Sequence, residues 1–584
     1  MNTNTQALTQ KANEYISLES DEYFRSQVEK LLKEENWVEL NDRFYTDLAF
    51  GTGGLRGVIG GGYNRMNSFT VRRATQGLAN YIVKAVPVGA SAVIAYDSRN
   101  FSDHFALQAA LVFCANGIKT YLFTGLRPTP ELSFAVRRLK ATAGIVVTAS
   151  HNPPEYNGYK VYWDDGAQVV APHDAAIIKE VLAAGNIKAM ERDEAISSGR
   201  LVMIDREVDV PFIDMVKSCA IRPKLLRDGG KDIKVVFTPL HGTGGMAVET
   251  ALKEMGVDII FVDEQKEPNG NFPTVDYPNP EEASAMKLAL DLGEKVGADL
   301  ILGTDPDADR LGIAAPGDDG KFVLITGNQL GALLADYILS ARKEMGTMPA
   351  KPAFIKTIVT TELQRLIAED YGAACFDVLT GFKYIGEKIR EFEAAGADGL
   401  SYIFGGEESY GYLANTEARD KDAISAATMT VEMALYHKSE GRTLLDQLRN
   451  IWKKHGYFQE ALISKTFKGE SGLNTMKALM EKLRSAPPKT FGGLHVAAVK
   501  DYSDGTTLSL STNSRDKNID LPSSNVLQFI LDDGSIVTVR PSGTEPKIKF
   551  YVSCTSKCDA GLDEAVKAVS KKIDGICAEL EGIA

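Results

Sequence analysis

The sequence is poor in cysteine and has no long apolar run. Six cysteines occur among 584 residues, and most stand within apolar segments, which predicts reduced core residues rather than a disulfide framework. Cys554 and Cys558 are separated by three residues, but no second Cys/His pair lies near them, so a zinc site is not expected. Residues 1–30 are polar and no run of about eighteen apolar residues follows, which predicts neither a signal peptide nor a membrane span. We therefore expect a cytoplasmic protein.

Clusters of basic residues are also absent. The net charge is −13, and no block of five or six basic residues interrupts the chain, so nucleic acid is not an expected partner. An anionic small molecule would have to be attracted by local groups. The length suggests about four domains.

A serine hydroxyl follows an uninterrupted apolar run. Ala143–Val147 is predicted to be a buried strand, and it leads directly into Thr148-Ala-Ser-His-Asn-Pro153. Open α/β sheets carry their chemistry on loops at the carboxyl ends of strands. Ser150 is therefore a candidate nucleophile, with an ordinary polar turn as the alternative.

Three alternating aspartates follow a second apolar run, Ala298–Gly303. Asp305, Asp307 and Asp309 stand at i, i+2 and i+4, so that one oxygen of each can turn toward a common point, and such hard ligands suit Mg²⁺. A calcium EF-hand would need Gly at position 6 and Glu at position 12, where this chain has Arg310 and Pro316. The remaining alternative is a solvated acidic turn.

Two further loops offer groups that bind sugars and phosphates. Gly405–Gly411 follows the short apolar strand Tyr402–Phe404, and it presents carboxylates and a hydroxyl on a glycine-hinged loop. Near the C-terminus, two alternating strands flank Pro541–Pro546, where a guanidinium, two hydroxyls and backbone amides beside a glycine can hold a phosphate dianion. The alternatives are a solvated turn and a plain hairpin.

Together these four segments resemble the loops of the α-D-phosphohexomutase family, most closely its long bacterial phosphoglucomutase branch. In order, they are similar to the family's phosphoserine, metal, sugar and phosphate loops. Gly53–Gly57 and Thr380-Gly-Phe-Lys383 also match. Some bacterial relatives carry a histidine just after the sugar loop, whereas this chain reads Tyr410-Gly-Tyr412, so an acid/base role for such a histidine is not carried over.

The resemblance implies a role for each matched residue. Ser150 is implied to carry the phosphoryl group and, with the three aspartates, to bind Mg²⁺. Proton transfer is implied for one of Lys160, Arg56 or His151, although His151 could instead shape the loop. The implied substrate contacts are Glu407, Ser409, Thr380, Gly381, Lys383 and Arg310, and the implied phosphate cup is Arg540, Ser542, Gly543 and Thr544. His241 is interpreted as a structural loop residue.

The resemblance also implies a reaction. A phosphoserine enzyme would interconvert α-D-glucose 1-phosphate and glucose 6-phosphate through glucose 1,6-bisphosphate, which would also act as an activator. The alternatives are a phosphomannomutase, a phosphopentomutase or a sugar bisphosphate synthase. More remote are a serine-dependent sugar phosphatase and a silent sugar-phosphate-binding protein. A monomer or a homodimer is expected.

Apolar runs alternate with helical periodicity through about residue 450, and the pattern then changes to alternating strands. The spacing of the three loop-bearing strands suggests three related α/β mixed-sheet domains, and the resemblance adds a C-terminal α+β domain and a central active-site cleft. The expected domain boundaries are 1–210, 211–325, 326–456 and 457–584. A hinge near residue 456 that opens and closes the cleft is a hypothesis. Residues 328–346 are predicted to form an amphipathic helix.

Overall fold

The computed structural model describes residues 3–51, 53–467, 469–541 and 547–583. The chain divides into two compact units. The first comprises residues 1–326, 382–404 and 409–439, and the second comprises residues 327–381, 405–408 and 440–584.

The helices and strands follow each other in an α/β order over most of the chain. The helices are α1 (Thr3–Leu18), α2 (Glu22–Lys33), α3 (Trp37–Phe44), α4 (Ser68–Ala85), α5 (Ser102–Ala115), α6 (Thr129–Arg138), α7 (His173–Ala183), α8 (Arg192–Ser197), α9 (Arg206–Ser218), α10 (Pro223–Gly229), α11 (Gly244–Glu254), α12 (Asp263–Lys266), α13 (Ala283–Val296), α14 (Gly327–Glu344), α15 (Leu363–Asp370), α16 (Lys383–Ala394), α17 (Ala423–Ser439), α18 (Leu444–His455), α19 (Gly469–Ser485) and α20 (Leu562–Gly582). Short 3₁₀ helices span Gly230–Asp232 and Gly396–Asp398.

The strands are β1 (Gly54–Val58), β2 (Ser91–Tyr96), β3 (Lys119–Phe123), β4 (Ala143–Val147), β5 (Tyr156–Trp163), β6 (Leu201–Ile204), β7 (Val235–Thr238), β8 (Ile259–Phe261), β9 (Leu300–Thr304), β10 (Leu311–Pro316), β11 (Phe322–Ile325), β12 (Pro352–Thr357), β13 (Ala374–Val378), β14 (Ser401–Glu407), β15 (Gly411–Leu413), β16 (Tyr457–Thr466), β17 (Thr490–Phe491), β18 (Leu494–Asp501), β19 (Thr506–Ser509), β20 (Arg515–Lys517), β21 (Leu527–Leu531), β22 (Ile536–Pro541) and β23 (Lys547–Ser556).

The first unit contains two mixed sheets. One has the strand order β1-β5-β4-β2-β3-β6, in which β4, β2, β3 and β6 run parallel and the β1–β5 pair joins β4 through the antiparallel β4–β5 pairing. The other has the order β11-β10-β9-β7-β8, in which β9, β7 and β8 run parallel. Strand β4 is buried at every position, which explains its unbroken apolar sequence. Both loops of chemical interest in this unit therefore begin at carboxyl ends of central strands.

The second unit contains a parallel pair and a larger antiparallel sheet. Strands β12 and β13 pair in parallel. The antiparallel sheet has the order β16-β23-β22-β21-β18-β19-β20, and β17 pairs with β18. One face of this sheet packs against α20, whose Val569, Ile573 and Ile576 share a hydrophobic cluster with Phe529 and Phe550. Burial of this apolar stripe, which recurs at helical spacing, holds the C-terminal helix to its sheet.

Several predictions from the sequence are confirmed. Strand β4 coincides with the predicted run, α14 confirms a helix over most of residues 328–346, and β22 and β23 are paired as expected. The amphipathic character predicted for this helix is wrong, because residues 330–339 are buried without a break, so that every side of the helix is packed. The α/β class with mixed sheets and a C-terminal α+β region is also confirmed. All six cysteines lack a disulfide partner. Within the described ranges, no helix has both the length and the apolar composition needed to cross a bilayer.

Candidate active site

Ser150 lies on a tightly held loop between β4 and β5. Its φ is 52°, in the left-handed region that a residue with a side chain adopts only when its surroundings hold it there. Thr148 provides part of that hold, because its hydroxyl oxygen accepts from the Ser150 N–H at 2.8 Å and donates to Asp97 Oδ2 at 2.6 Å. The loop is therefore fixed, through Asp97, to the turn that follows the neighbouring strand β2.

The Ser150 hydroxyl points at the aspartate loop. Ser150 Oγ donates to Asp305 Oδ2 at 2.7 Å, and it lies 3.2 Å from His151 Nδ1. Only 3 % of the Ser150 surface is exposed, so that few water molecules could compete with a bound reactant for this hydroxyl. The sequence separates Ser150 and Asp305 widely, and the packing of the two mixed sheets within the first unit brings them together.

The three aspartates converge between β9 and β10. Ligand oxygens of Asp305, Asp307 and Asp309 all lie within 4.8 Å of one another, and all three residues are buried. Asp305 Oδ1 accepts from the backbone N–H groups of Asp309 and Arg310 at 3.1 and 3.0 Å. These bonds leave its other oxygen for Ser150.

Burial and neighbouring charges move the pKa values of Asp305 and Asp309 in opposite directions. Burial, followed by the charges of Asp307 and Asp309, raises the pKa of Asp305 well above its ordinary value. Burial also acts against ionisation of Asp309, but Lys160 and Lys421 outweigh it, and the pKa of Asp309 is lowered. Asp309 is therefore ionised, and Lys160 and Lys421 stabilise its negative charge.

Two lysines neutralise the carboxylates. Lys160 Nζ, from β5, lies 2.7 Å from Asp307 Oδ2 and 3.1 Å from Asp309 Oδ2. Lys421 Nζ lies 3.1 Å from the same Asp309 oxygen and 3.1 Å from Asp420 Oδ1. Burial disfavours the charged form of Lys160, yet Asp307 and Asp309 raise its pKa, so it is a cation here.

The aspartate cluster fits a magnesium ion. Hard carboxylate oxygens are the ligands that Mg²⁺ prefers. Asp307 Oδ1 and Asp309 Oδ1 are buried, and neither has a hydrogen-bond partner among the described residues. Buried carboxylate oxygens of this kind are costly unless a cation or a donor satisfies them. The donor set and its two unsatisfied oxygens therefore suit a divalent cation.

The other residues suggested for proton transfer differ in their surroundings. Burial, followed by the nearby cations Arg310 and Arg56, lowers the pKa of His151 well below its ordinary value, so its imidazole is neutral. Arg56 is exposed, and its Nη1 donates to Asn152 Oδ1 at 3.2 Å. Arg310 Nη1 donates to Glu281 Oε1 at 2.6 Å.

The segment predicted as a glycine-hinged sugar loop is partly a strand. Strand β14 continues through Gly405 and Gly406 to Glu407, because this stretch is buried and burial favours a hydrogen-bonded strand over the turn preference of glycine. Glu407 Oε1 accepts from the backbone N–H of Gly381 at 2.8 Å. Two residues of the proposed substrate-binding set, Gly381 and Glu407, are thus in direct contact within the second unit.

Glu408 follows Glu407 and turns toward the end of β12. Its Oε2 accepts from the hydroxyls of Thr357 and Thr360 at 3.2 and 3.4 Å. Burial, followed by the charge of Glu407, raises the pKa of Glu408 to about 7. This carboxyl therefore lies close to its titration midpoint at neutral pH.

The remaining substrate-binding candidates lie on both sides of this segment. Ser409 and Lys383 belong to the first unit, and Lys383 opens α16. Burial lowers the pKa of Lys383. Thr380 precedes Gly381 in the second unit and is half-buried.

Of the residues expected to form the phosphate cup, only Arg540 lies within the described ranges. Arg540 stands opposite Lys549 in the antiparallel β22–β23 pair. Its side chain hydrogen-bonds with Tyr551, whose pKa burial raises to about 12. Ser542, Gly543 and Thr544 lie outside the described residues.

Two residues of the first unit that contact the Ser150 loop or the aspartates were missed from the sequence. Lys421 lies in Arg419-Asp-Lys-Asp422, a charged segment in which every residue is buried, and charge at such density in a core is a signal for function. Arg99, in the turn after β2, contacts the Ser150 loop directly. The segment Asp97-Ser-Arg99 places charged residues directly after β2, but the sequence analysis attached no role to them, and no local pattern reveals the contact.

Comparison with protein families gives four matches in sequence order. The models for alpha/beta/alpha domains I, II and III of phosphoglucomutase/phosphomannomutase match residues 47–188, 211–318 and 326–455, and the C-terminal domain of the same proteins matches residues 488–567. The matched segments include Ser150, the three aspartates and Glu407.

Curated relatives match along nearly the whole chain. A protein named phosphoglucomutase from Staphylococcus haemolyticus (strain JCSC1435) is 38% identical over 518 residues, which cover 87% of this chain and 91% of the relative. A phosphoglucomutase from Staphylococcus aureus (strain MRSA252) is 37% identical over 547 residues, covering 93% and 95%.

Solved structures support the fold. A putative phosphomannomutase from Thermus thermophilus aligns with a TM-score of 0.67 at 23% identity, covering 92% of this chain and 99% of that one. The open form of pp63/parafusin from Paramecium also aligns with a TM-score of 0.67, at 18% identity, covering 91% and 95%. At these identities the likeness concerns the fold.

Proposed function

The chain belongs to the phosphoglucomutase/phosphomannomutase family, and we propose that it interconverts α-D-glucose 1-phosphate and glucose 6-phosphate. Membership of this family makes it an isomerase of the phosphotransferase type. The proposed route uses a phosphoserine at Ser150 and glucose 1,6-bisphosphate as the intermediate, which would also prime an unphosphorylated enzyme.

The observation that carries the proposal is the contact between Ser150 and the aspartate cluster. A serine hydroxyl that donates to Asp305 at 2.7 Å within a buried carboxylate group is positioned for phosphoryl transfer rather than for contact with bulk water. Asp305, Asp307 and Asp309 would hold Mg²⁺, which when bound would neutralise charge on the transferring phosphoryl group.

The surrounding residues would supply the other parts of the reaction. Lys160 and Lys421 bring positive charge to the oxygens of the phosphoryl group as it moves. Neutral His151, 3.2 Å from Ser150 Oγ, is able to accept a proton, while Lys160 and Arg56 are the alternative proton carriers.

A further set of residues would bind the part of the substrate that does not react. Glu407 would accept hydrogen bonds from sugar hydroxyls, supported by its contact with Gly381, and Ser409, Thr380, Lys383 and Arg310 complete the proposed substrate contacts. Arg540 would bind the distal phosphate together with Ser542, Gly543 and Thr544. Between the two transfers, glucose 1,6-bisphosphate would have to turn over, so that the phosphate first bound by the phosphate cup takes the place of the one beside Ser150. Each of its two phosphates must therefore fit the phosphate cup in turn.

The test is a coupled assay for glucose 6-phosphate formed from glucose 1-phosphate with Mg²⁺, run with and without glucose 1,6-bisphosphate. We expect turnover that the bisphosphate primes and that Ser150→Ala abolishes. Ser218→Ala is the matched control, since Ser218 lies on α9 and donates to Met215 O. Absence of turnover in wild type carrying a full complement of phosphoserine would reject the proposal.

The same assay separates the related activities. Mannose 1-phosphate and ribose 1-phosphate replace the substrate in parallel reactions, 1,3-bisphosphoglycerate tests for bisphosphate synthesis, and release of inorganic phosphate tests for hydrolysis. The four domain boundaries, the hinge near residue 456, the cytoplasmic location and the choice between monomer and homodimer stay predictions.

A further inference from the structure

Arg99 lies beneath the Ser150 loop and is almost entirely buried. It follows β2 in the turn Asp97-Ser-Arg99, and only 3 % of its surface is exposed. Its backbone N–H donates to Asp97 Oδ1 at 2.9 Å, and its Nε lies 3.4 Å from Asp97 Oδ2. Asp97 also accepts from the hydroxyls of Ser102 and Thr148. One carboxylate thus connects the arginine, the start of α5 and the start of the serine loop.

The guanidinium group binds the loop backbone at four points. Nη2 donates to the carbonyl oxygen of Ser150 at 2.6 Å and also to that of Asn152. Nη1 donates to the carbonyl oxygens of Pro153 and Tyr156 at 2.8 and 3.0 Å. Three carbonyls of the loop and that of Tyr156, the first residue of β5, therefore share the two terminal nitrogens of one side chain.

This pattern requires arginine. A guanidinium carries four terminal N–H donors in a rigid plane, whereas a lysine ammonium has three donors around a single point and cannot reach four spaced carbonyls. The bonds also provide partners for the carbonyls of Ser150, Asn152 and Pro153, which belong to no strand. Among the bonded residues is Ser150, whose left-handed backbone needs such support.

The other side of the guanidinium is covered by a loop from the second mixed sheet. The ring of Phe272 lies 4.9 Å from the guanidinium carbon of Arg99. The neighbouring Gly270 approaches so closely that a Cβ there would lie 2.4 Å from the backbone nitrogen of Asn100. The arginine is therefore clamped between the serine loop and a segment of the sheet that carries the aspartates.

We propose that Arg99 is a positioning residue for phosphoryl transfer, which fixes the Ser150 backbone so that the hydroxyl faces Asp305. It touches no reacting atom. The effect of Arg99 on the rate of phosphoryl transfer rests on the proposed function, whereas its effect on the conformation of the Ser150 loop does not. In a reaction that depends on placement, a shift of about 1 Å in the nucleophile costs about 100-fold in rate.

The principal variant is Arg99→Lys, with Arg99→Met as the harsher change. The matched control is Arg200→Lys, because Arg200 Nη1 also donates to a backbone carbonyl, that of Cys114, in the same unit but away from the loop. Three measurements are made on the full chain: kcat and KM for glucose 1-phosphate, the rate at which the bisphosphate phosphorylates Ser150, and hydrogen exchange across residues 148–156.

We expect Arg99→Lys to lower kcat by about 100-fold with KM for glucose 1-phosphate nearly unchanged. Ser150 should be phosphorylated more slowly and the loop should exchange faster, while Arg200→Lys leaves all three unchanged. A wild-type kcat and phosphorylation rate in Arg99→Lys would overturn the proposal. Equal losses in the Arg200→Lys control would also overturn it, since they would indicate a general effect on the fold.

Two further measurements test the role of Arg99 even if the proposed mutase reaction is wrong or the arginine variants do not fold. If the wild type shows no mutase turnover, hydrogen exchange still decides whether Arg99 fixes the loop, and unchanged exchange in Arg99→Lys overturns that part. If neither arginine variant folds, Phe272→Leu removes the ring from the guanidinium but leaves its hydrogen bonds. We then expect a smaller loss of kcat and faster loop exchange, and wild-type values for both would overturn the proposal.

Discussion

Glu460 should make the stability of the second unit depend on pH. The residue lies on β16 opposite Ser553 of β23, whose hydroxyl donates to Glu460 Oε1 at 3.3 Å, and Thr361 and Asn328 also hydrogen-bond with the carboxyl. Burial raises the pKa of Glu460 to about 7, and no cation is among the groups that offset this effect. The perturbation is Glu460→Gln, which keeps the shape and removes the ionisation.

The sign follows from proton binding. In the folded chain the carboxyl keeps its proton up to about pH 7, whereas in the unfolded chain it loses it near pH 4.5. Unfolding therefore releases a proton in this window, and the free energy of unfolding falls as the pH rises from about 4.5 to about 7. The shift in pKa corresponds to about 3 kcal/mol. This figure is an upper limit, because the side chain keeps some access to water.

The assay is denaturant unfolding followed by the fluorescence of Trp452, whose ring contacts Tyr457 at the start of β16. Replacing Trp37 and Trp163 by Phe leaves this one reporter in the second unit, which matters because a chain of several domains need not unfold in one step. We expect the free energy of unfolding of Glu460→Gln to match that of the parent near about pH 4 and to exceed it at about pH 8. Parallel pH profiles for the parent and the variant would refute the reasoning.

Two further predictions concern the first unit. Gly158→Ala should destabilise the protein by about 1–3 kcal/mol and slow phosphorylation of Ser150, because a Cβ there would lie 2.4 Å from Thr148 O and 2.9 Å from Leu55 O. Thermal unfolding measures the loss of stability, and the phosphoserine content over time measures the rate of phosphorylation. Gly185→Ala is the control, because a Cβ at Gly185 would meet no atom within 4 Å. Equal effects in the two variants would contradict the prediction. Asp307→Asn should weaken Mg²⁺ binding at least about tenfold. Calorimetry measures the affinity, and Asp319→Asn, on an exposed turn, is the control. An unchanged affinity in Asp307→Asn would exclude Asp307 as a ligand.

Much of the fold could be predicted because local patterns determine it. Strand β4 is an unbroken apolar run since both of its faces are buried, and the apolar residues of α14 predicted a helix there. The end of β14 could not be predicted in this way. Two glycines in succession favour a turn, and only the burial of Gly405 and Gly406 in the folded chain keeps them in a strand.

The candidate site was predictable where its residues are close in sequence. The alternation of the three aspartates indicated their convergence, and the apolar run before Ser150 indicated its place at the end of a strand. Lys421 and Arg99 escaped prediction, because each acts on a segment at least fifty residues away along the chain. Such contacts depend on how helices and strands pack, which no local pattern encodes.

The charges around Ser150 indicate that phosphorylation and metal binding depend on each other. Without phosphate, the carboxylates of Asp307 and Asp309 are held by Lys160 and Lys421, while Asp305 accepts a hydrogen bond from the serine. A phosphoserine would add a charge of about −1.5 to −2 beside these groups, and a divalent cation would add about +2. The two additions nearly cancel, so that phosphorylation and Mg²⁺ binding should each favour the other in a site where a single uncompensated charge would be costly.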